Sequence, residues 1–253
     1  MALDSQDREE LLHVLRALRF SVASLCWEGL ENWPRRTMPK AFAAKECDLG
    51  SRSGSKQDEP RNPQRLLELA RQELGDCTRC RLHQTRTHIV FGEGSPTARL
   101  VFVGEGPGSE EDQQGRPFVG RAGRLLDKMI QALGLARSEV YICNMVKCRP
   151  PNNRTPNSDE IETCSPFLIK QIEAIQPALI CALGACAAQG LLGSTEYISR
   201  LRGKVHSWRG IPLIATYHPA YLLRNATQKA AAWQDFREII RVLAADADKS
   251  RNL

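Results

Sequence analysis

The sequence predicts an α/β protein with three layers, in which helices cover both faces of a mainly parallel central sheet. Short apolar runs of the kind found in buried strands alternate with longer segments whose apolar residues recur at helical spacing. This alternation favours a parallel sheet, because a helix between two strands carries the chain back to the same end of the sheet. With 253 residues, 42% of them hydrophobic, the chain can bury a core of that size.

Two segments precede the predicted main domain. Residues 1–31 form an N-terminal helical extension, because apolar residues recur near helical spacing from Asp7 to Leu30. Residues 32–62 are rich in proline, glycine and serine among scattered charges, which is the composition of a flexible linker. The main domain then spans residues 63–246, and residues 247–253 form a C-terminal tail. We expect the N-terminal helix to be an appendage or a weak contact surface rather than a catalytic element.

Helices and strands alternate through the main domain. Strands are predicted at residues 100–103, 140–144, 178–183 and 211–216. Helices are predicted at residues 64–73, 121–133, 165–175, 185–192 and 229–243. In sheets of this kind, active sites collect at the carboxyl ends of the strands.

Four cysteines have the pattern of a metal site. Cys77 and Cys80 are separated by two residues, and Cys148 and Cys164 follow singly, far along the chain. Two thiols in a tight turn and two distant thiols can complete a tetrahedral set of four. The spacing fits zinc and an iron–sulfur cluster equally, because thiolates bind both. The remaining thiols are interpreted as linker or core residues, namely Cys26, Cys47, Cys143, Cys181 and Cys186.

The bulk properties favour a cytoplasmic protein and are compatible with a polyanionic partner. The chain begins without the basic head and apolar run of a secretory signal, and no later apolar run is long enough to cross a bilayer. We therefore expect a reducing setting, in which cysteines remain available as ligands. The net charge of +6 suits nucleic acid and is also compatible with an ordinary solvated surface.

Three loops at predicted strand ends carry polar or aromatic groups. The glycine-rich loop at residues 104–108 places Glu105 at its tip, and Phe118 follows in a frame of proline and glycine. Asn144 ends the second strand, and its amide can both donate and accept hydrogen bonds. His218 follows the fourth strand. Each residue alone has a structural explanation, namely a turn, core packing, a cap or a satisfied histidine.

Together, these motifs resemble one enzyme family. Residues 104–108, 115–120, 144–151 and 218–224 occur in this order, with the four cysteines interleaved, and closely resemble the family-4 uracil-DNA glycosylases. The resemblance extends from about residue 64 to residue 243. It implies a DNA-repair enzyme of the uracil-DNA glycosylase fold that flips uracil out of DNA and hydrolyses its N-glycosidic bond, leaving an abasic site.

The resemblance also implies roles for individual residues. Cys77, Cys80, Cys148 and Cys164 would hold a [4Fe–4S] cluster that pins the loops together. Phe118 would stack on the flipped base, Asn144 would bond its N3–H and O4 edge, and His218 would donate to O2. Glu105 would orient water or the base as the second catalytic residue. Gly106, in the uracil-binding loop, stands where better-known glycosylase families have an aspartate.

Basic residues beside the motifs would contact DNA phosphates without reading sequence. An apolar wedge from Leu222 or Leu223 would fill the vacated stack. The expected partner is uracil-containing DNA, single- or double-stranded, bound by a monomer. The predicted DNA contacts are Arg116, Lys147, Arg149, Arg154, Leu222 and Arg224, with Arg202 and Lys204 nearby.

Two rival functions stay open at this point. One is a relative that binds uracil-DNA covalently through a histidine in a basic loop and scarcely turns over. The segment that follows Asn144 has no histidine, and His206 lies in a stretch similar to hydrolytic members. The other is a nucleic-acid-binding module that is stabilised by a bound metal and has no catalytic activity. We expect no strand cleavage, because no lysine is placed by a motif to form a Schiff base.

Overall fold

The computed structural model describes residues 61–251, with side chains to residue 248. The predicted N-terminal helix and nearly all of the predicted linker lie outside the described residues. Among the described residues, no helix is both long and apolar enough to cross a membrane.

A six-stranded sheet lies at the centre of the part of the chain that the structure describes. Its strand order is β1-β3-β2-β4-β6-β5, and the four inner strands run parallel to one another. The two edge strands pair antiparallel with their neighbours. The strands are β1 Glu93–Gly94, β2 Leu100–Gly104, β3 Tyr141–Asn144, β4 Leu179–Leu183, β5 Val205–Trp208 and β6 Ile211–Thr216.

Eight α-helices surround the sheet in the described range. They are α1 Pro63–Leu74, α2 Ser109–Gln114, α3 Arg121–Ala132, α4 Ser158–Ile175, α5 Ala185–Leu192, α6 Ile198–Leu201, α7 Pro219–Arg224 and α8 Lys229–Arg251. The predicted strands and long helices are all present. The short helices α2, α6 and α7 and the two edge strands were not predicted.

Two helices are longer than predicted. Helix α4 begins at Ser158 rather than at residue 165, because Glu160 closes its first turn by accepting a hydrogen bond from Asn157 N at 2.8 Å. Helix α8 continues to Arg251, past residue 247 where the C-terminal tail was predicted to begin.

The core has two halves, one on each face of the sheet, which confirms the three-layer fold. Helices α1, α4 and α5 pack on one face, where Val101 and Ile180 of the sheet meet Ile172 of α4. Helices α3 and α8 cover the other face, where Phe102 meets Phe236. Strands β2, β3 and β4 are buried along their whole length, as parallel strands between two helical layers must be.

Candidate active site

The carboxyl ends of β2, β3 and β6 open into one cavity of about 490 Å³, which we call the main cavity. It brings together seven of the predicted site residues from segments far apart in the sequence. These residues are Glu105, Gly106, Phe118, Asn144, Arg154, His218 and Arg224.

Asn144 presents an unsatisfied polar group at the end of β3. The residue is only 1% exposed, and its Oδ1 is the one buried side-chain nitrogen or oxygen among the described residues that has no hydrogen-bond partner. An orphaned buried acceptor is costly, which points to a ligand that completes it. The adjacent backbone is fixed, because Met145 N donates to Gly104 O at 2.9 Å and Val146 N donates to Glu105 O at 3.2 Å.

Phe118 is held beside Asn144 by a close fit. A Cβ at Gly104 would lie 2.4 Å from Asn144 Oδ1 and 2.6 Å from Phe118 Cζ, so only glycine leaves room for both side chains. Phe118 has a φ of 50°, an unusual conformation for a bulky residue. Its carbonyl oxygen would lie 2.0 Å from a Cβ at Gly123. The phenylalanine ring is therefore buried at the cavity in one enforced position.

Glu111, which the sequence did not predict as a site residue, joins the two loops that form this wall. Its carboxylate accepts hydrogen bonds from Gly108 N at 3.1 Å, Val119 N at 3.0 Å and Gly120 N at 2.9 Å. The sequence signal for it was an acidic residue in the first turn of a helix after a glycine loop. Its contacts fix the residue that follows Phe118.

His218 is a neutral hydrogen-bond donor. Its Nδ1 accepts from Ala220 N at 3.1 Å, so the proton of the neutral ring lies on Nε2. Burial, together with the positive charge of Arg224 and against a smaller opposing effect of Glu111, lowers the pKa of His218 to about 4. The centre of its ring lies 5.6 Å from that of Phe118, at an interplanar angle of 32°. An Nε2–H donor and an aromatic ring therefore share one end of the cavity.

Glu105 lies in a partly buried position. Burial raises the pKa of its carboxyl, and a hydrogen bond with Thr155 opposes this shift. A Cβ at Gly106 would lie 2.9 Å from Val146 Cγ2, so a larger side chain there requires Val146 to move. Asn153 also lines the cavity, in a left-handed conformation with a φ of 54°.

Cys77, Cys80, Cys148 and Cys164, here called the cysteine group, influence one another electrostatically in the folded protein. Arg79 Nη1 donates to Cys77 Sγ at 3.2 Å, and Lys147 N donates to Cys164 Sγ at 3.4 Å.

Arg86 contacts this group with a side chain that is only 8% exposed. Its Nη1 donates to Cys148 Sγ at 3.4 Å and to Cys77 O at 2.6 Å. Burial raises the pKa of the Cys148 thiol to about 11, and Arg86 opposes that shift. Within residues 61–251, no three metal-binding side chains close around a single ion. N–H donors aimed at sulfur suit thiolates that carry negative charge, as the ligands of an iron–sulfur cluster do.

Residues 91–237 match the Uracil DNA glycosylase superfamily. The chain belongs to this family. A type-4 uracil-DNA glycosylase of Thermotoga maritima is 47% identical over 189 residues, which cover 74% of this chain and 94% of that protein. A type-4 enzyme of Archaeoglobus fulgidus is 46% identical, with 66% of this chain and 88% of that protein covered. A type-5 enzyme of Pyrobaculum aerophilum is 33% identical, with 61% and 74% covered. The resemblance inferred from the motifs is thereby confirmed.

Two of the DNA contacts predicted from the glycosylase resemblance are wrong, because their side chains are buried. Lys147 is 0% exposed, and its Nζ donates to Asn144 O at 2.8 Å and to Gln171 Oε1 at 2.6 Å. It supports the strand end instead of reaching DNA. Leu222 is 2% exposed and packs inside the protein, whereas Leu223 is 40% exposed. The alternative wedge residue, Leu223, is the accessible one.

The remaining basic residues differ in whether an ion pair with a carboxylate already neutralises their charge. Arg116 pairs with Glu93, Arg154 pairs with the buried Glu160, and Arg202 pairs with the buried Asp235.

In contrast, Arg224 and Lys204 are exposed, and within the described part of the chain Arg149 bonds only a neutral amide. These three are the better-placed cations for phosphate.

The thiols outside the cysteine group behave as core residues where the structure describes them. Cys143 and Cys181 are fully buried within the sheet, and Cys186 is partly buried on α5. Cys26 and Cys47 lie outside the described residues.

Proposed function

We propose that this protein is a monofunctional uracil-DNA glycosylase, which flips uracil out of DNA and releases it by hydrolysis of the N-glycosidic bond. The observation that carries the proposal is the unpartnered Oδ1 of Asn144, buried beside Phe118 and His218. A polar atom that the fold leaves unsatisfied next to an aromatic face suits a planar ligand with a donor on its edge.

Asn144 would distinguish uracil from cytosine by the direction of its hydrogen bonds. Its Oδ1 would accept from uracil N3–H, and its Nδ2 would donate to O4. Cytosine has no hydrogen on N3 and an amino donor at the neighbouring position, so the same amide would place acceptor against acceptor at N3 and donor against donor at the amino group. Phe118 would stack on the face of the base.

His218 would stabilise the departing base. As the glycosidic bond breaks, negative charge accumulates on O2 of uracil, and the Nε2–H of the neutral imidazole would donate to it. A fixed donor in a cavity without bulk water is worth about 3–4 kcal/mol in the barrier. The low pKa of His218 keeps the ring neutral, and the hydrogen bond from Ala220 N selects the tautomer with its proton on Nε2.

Glu105 would orient the attacking water on the sugar side of the cavity. The sugar carbon gains positive character as the base leaves, and a water molecule adds to it. The structure places no aspartate in this loop, because residue 106 is a glycine packed against Val146. Leaving-group stabilisation by His218 would therefore supply more of the rate than base catalysis does.

We infer that the cysteine group holds a [4Fe–4S] cluster, with zinc as the alternative. The support is the set of three N–H donors that already point at Cys77, Cys148 and Cys164. The cluster would supply four bonds that join loops separated by up to 86 residues of chain, between Cys77 and Cys164. Its expected role is structural support for the strand end that carries Asn144.

An assay for free uracil tests the proposed activity. Purified protein incubated with an oligonucleotide that contains one uridine should release uracil and leave a site that alkali cleaves. The matched oligonucleotide with cytosine should stay intact. A protein–DNA band that survives a denaturing gel would instead support a covalent uracil-DNA binder, and binding without release would support a non-catalytic module.

A further inference from the structure

A second cavity of about 250 Å³, here called the side cavity, adjoins the main cavity, and Pro150 lines both. The other residues that line the side cavity are Thr85, Arg149, Pro151 and Asn152. They bring together a guanidinium, a hydroxyl and a side-chain amide, and no carboxylate. This combination of donors suits the oxygens of a phosphodiester group.

Arg149 connects the two cavities. Its Nε donates a hydrogen bond to Asn153 Oδ1 at 2.8 Å, and Asn153 lines the main cavity. Among the residues that the structure describes, the two terminal nitrogens of Arg149 make no other hydrogen bond or ion pair. Arg154, by contrast, is already engaged by both oxygens of Glu160. Arg149 therefore has donors left for a ligand while its Nε orients a residue of the active site.

The backbone between the cavities is sharply bent. Asn152 and Asn153 both have a φ of 54°, and two consecutive left-handed residues other than glycine are uncommon. Asparagine tolerates this conformation better than most residues do. The bend places Asn152 in the side cavity and Asn153 in the main cavity.

We propose that the side cavity binds a phosphodiester group of the DNA strand that carries the flipped uridine, and that Arg149 couples this contact to Asn153 in the main cavity. The proposal rests on the glycosylase function and deepens it, because it makes the substrate a polynucleotide rather than a free nucleoside. Binding of the phosphate would hold the Arg149 guanidinium in place, which in turn would fix the Asn153 side chain beside the base.

A thermodynamic cycle between the protein and the DNA backbone tests this coupling. A series of single-uridine oligonucleotides would each carry one neutral methylphosphonate in place of a phosphodiester close to the uridine. For wild-type protein, we expect one position at which the change lowers kcat/KM by about tenfold, because a charged hydrogen bond is lost. In Arg149→Gln, the same methylphosphonate should cause no further loss. Lys128→Gln, which changes an exposed residue of α3 that lines neither cavity, should respond as wild type does.

Arg149→Lys separates charge from geometry. Lysine keeps the positive charge but lacks the forked donor, so the salt dependence of binding should be retained while the rate falls. In Arg149→Gln, the slope of log K against log salt on single strands should shrink by about 0.7. Thermal melting would confirm that both variants fold.

Two results would overturn the proposal. In the first, the Arg149→Gln substitution and the methylphosphonate lower kcat/KM independently, so that their fold-losses multiply at every position tested. In the second, the Arg149→Lys variant keeps the kcat/KM of wild type. A wild-type protein that releases no uracil from unmodified DNA would instead contradict the glycosylase function itself. The two failures are therefore distinguishable.

Discussion

The main cavity and the cysteine group are separated by only three residues of chain, between Asn144 and Cys148, yet they differ in how their polar groups are satisfied. In the cavity, Asn144 Oδ1 has no partner in the described residues, and the Nε2–H of His218 faces a space for substrate. In the cysteine group, N–H donors already contact three sulfurs. Under the proposed function, the substrate would complete the first region, whereas in the second region three sulfurs already have hydrogen-bond donors within the protein. Changes in the cavity should therefore act on catalysis, and changes around the cysteines should act on stability.

The largest expected effect on catalysis is that of His218→Ala. Loss of the Nε2–H donor should lower the single-turnover rate of uracil release by about a thousandfold, because the charge on the leaving base is no longer stabilised. The melting temperature at pH 7 should change little. Rapid-quench measurement of free uracil checks the rate, with His206→Gln as a histidine control outside the cavity. A variant that keeps wild-type turnover would remove His218 from the mechanism.

Asn144→Ala should have the next largest effect. The substitution removes both hydrogen bonds to the base edge and should lower kcat/KM on uracil by about a hundredfold. Affinity for undamaged duplex, measured by fluorescence anisotropy, should remain close to that of wild type. An equal loss of duplex affinity and of catalysis would show that Asn144 supports the fold rather than base recognition.

Around the cysteine group, Arg86→Gln should weaken retention of the cluster. The Arg86 side chain is only 8% exposed and spans Cys77 O and Cys148 Sγ, whereas Arg79 is exposed. A buried charged hydrogen bond contributes more than an exposed one, so Arg86→Gln should lose iron several times faster than Arg79→Gln. The decay of absorbance near 400 nm in the presence of a chelator measures this, at about the wavelength of thiolate-to-iron bands. Equal decay would contradict the special position of Arg86, and a colourless wild-type protein would contradict the cluster.

The smallest expected effect concerns acid stability. The pKa of His218 is about 4 in the folded protein and 6.5 in an ordinary setting, so the unfolded chain binds one more proton in this interval. Stability should therefore fall as the pH falls from 6.5 to 4. His218→Gln removes this contribution, and its melting temperature should decline less between pH 7 and pH 5, by about 2–4 °C for each kcal/mol involved. Parallel declines in the variant and the wild type would show that His218 titrates normally.

The sequence predicted the inner strands and the loop residues of the cavity well, for a physical reason. Parallel strands buried on both faces are continuous apolar runs, and the polar groups that follow them must meet at one edge of the sheet. Glu105, Asn144 and His218 were found in this way, whereas Phe118 was found by the proline and glycine residues around it.

The residues that the sequence missed or misplaced depend on distant contacts. Lys147 looked like a surface cation, because nothing near it in the chain reveals that Gln171 of α4 receives its ammonium in the core. Glu111 acts through backbone groups eight and nine residues away. Leu222 and Leu223 differ by one position on a short helix, where apolar periodicity is too brief to tell which of them faces inward.

Gly104 has a consequence for which substitutions this enzyme can tolerate. A methyl group in place of one of its two α-hydrogens would lie 2.4 Å from Asn144 Oδ1 and 2.6 Å from Phe118 Cζ. Gly104→Ala would thus displace the base-reading amide and the stacking ring at the same time, without removing an atom from either. One added carbon at a residue that takes no part in the reaction should therefore lower the catalytic activity as much as the loss of a catalytic side chain does.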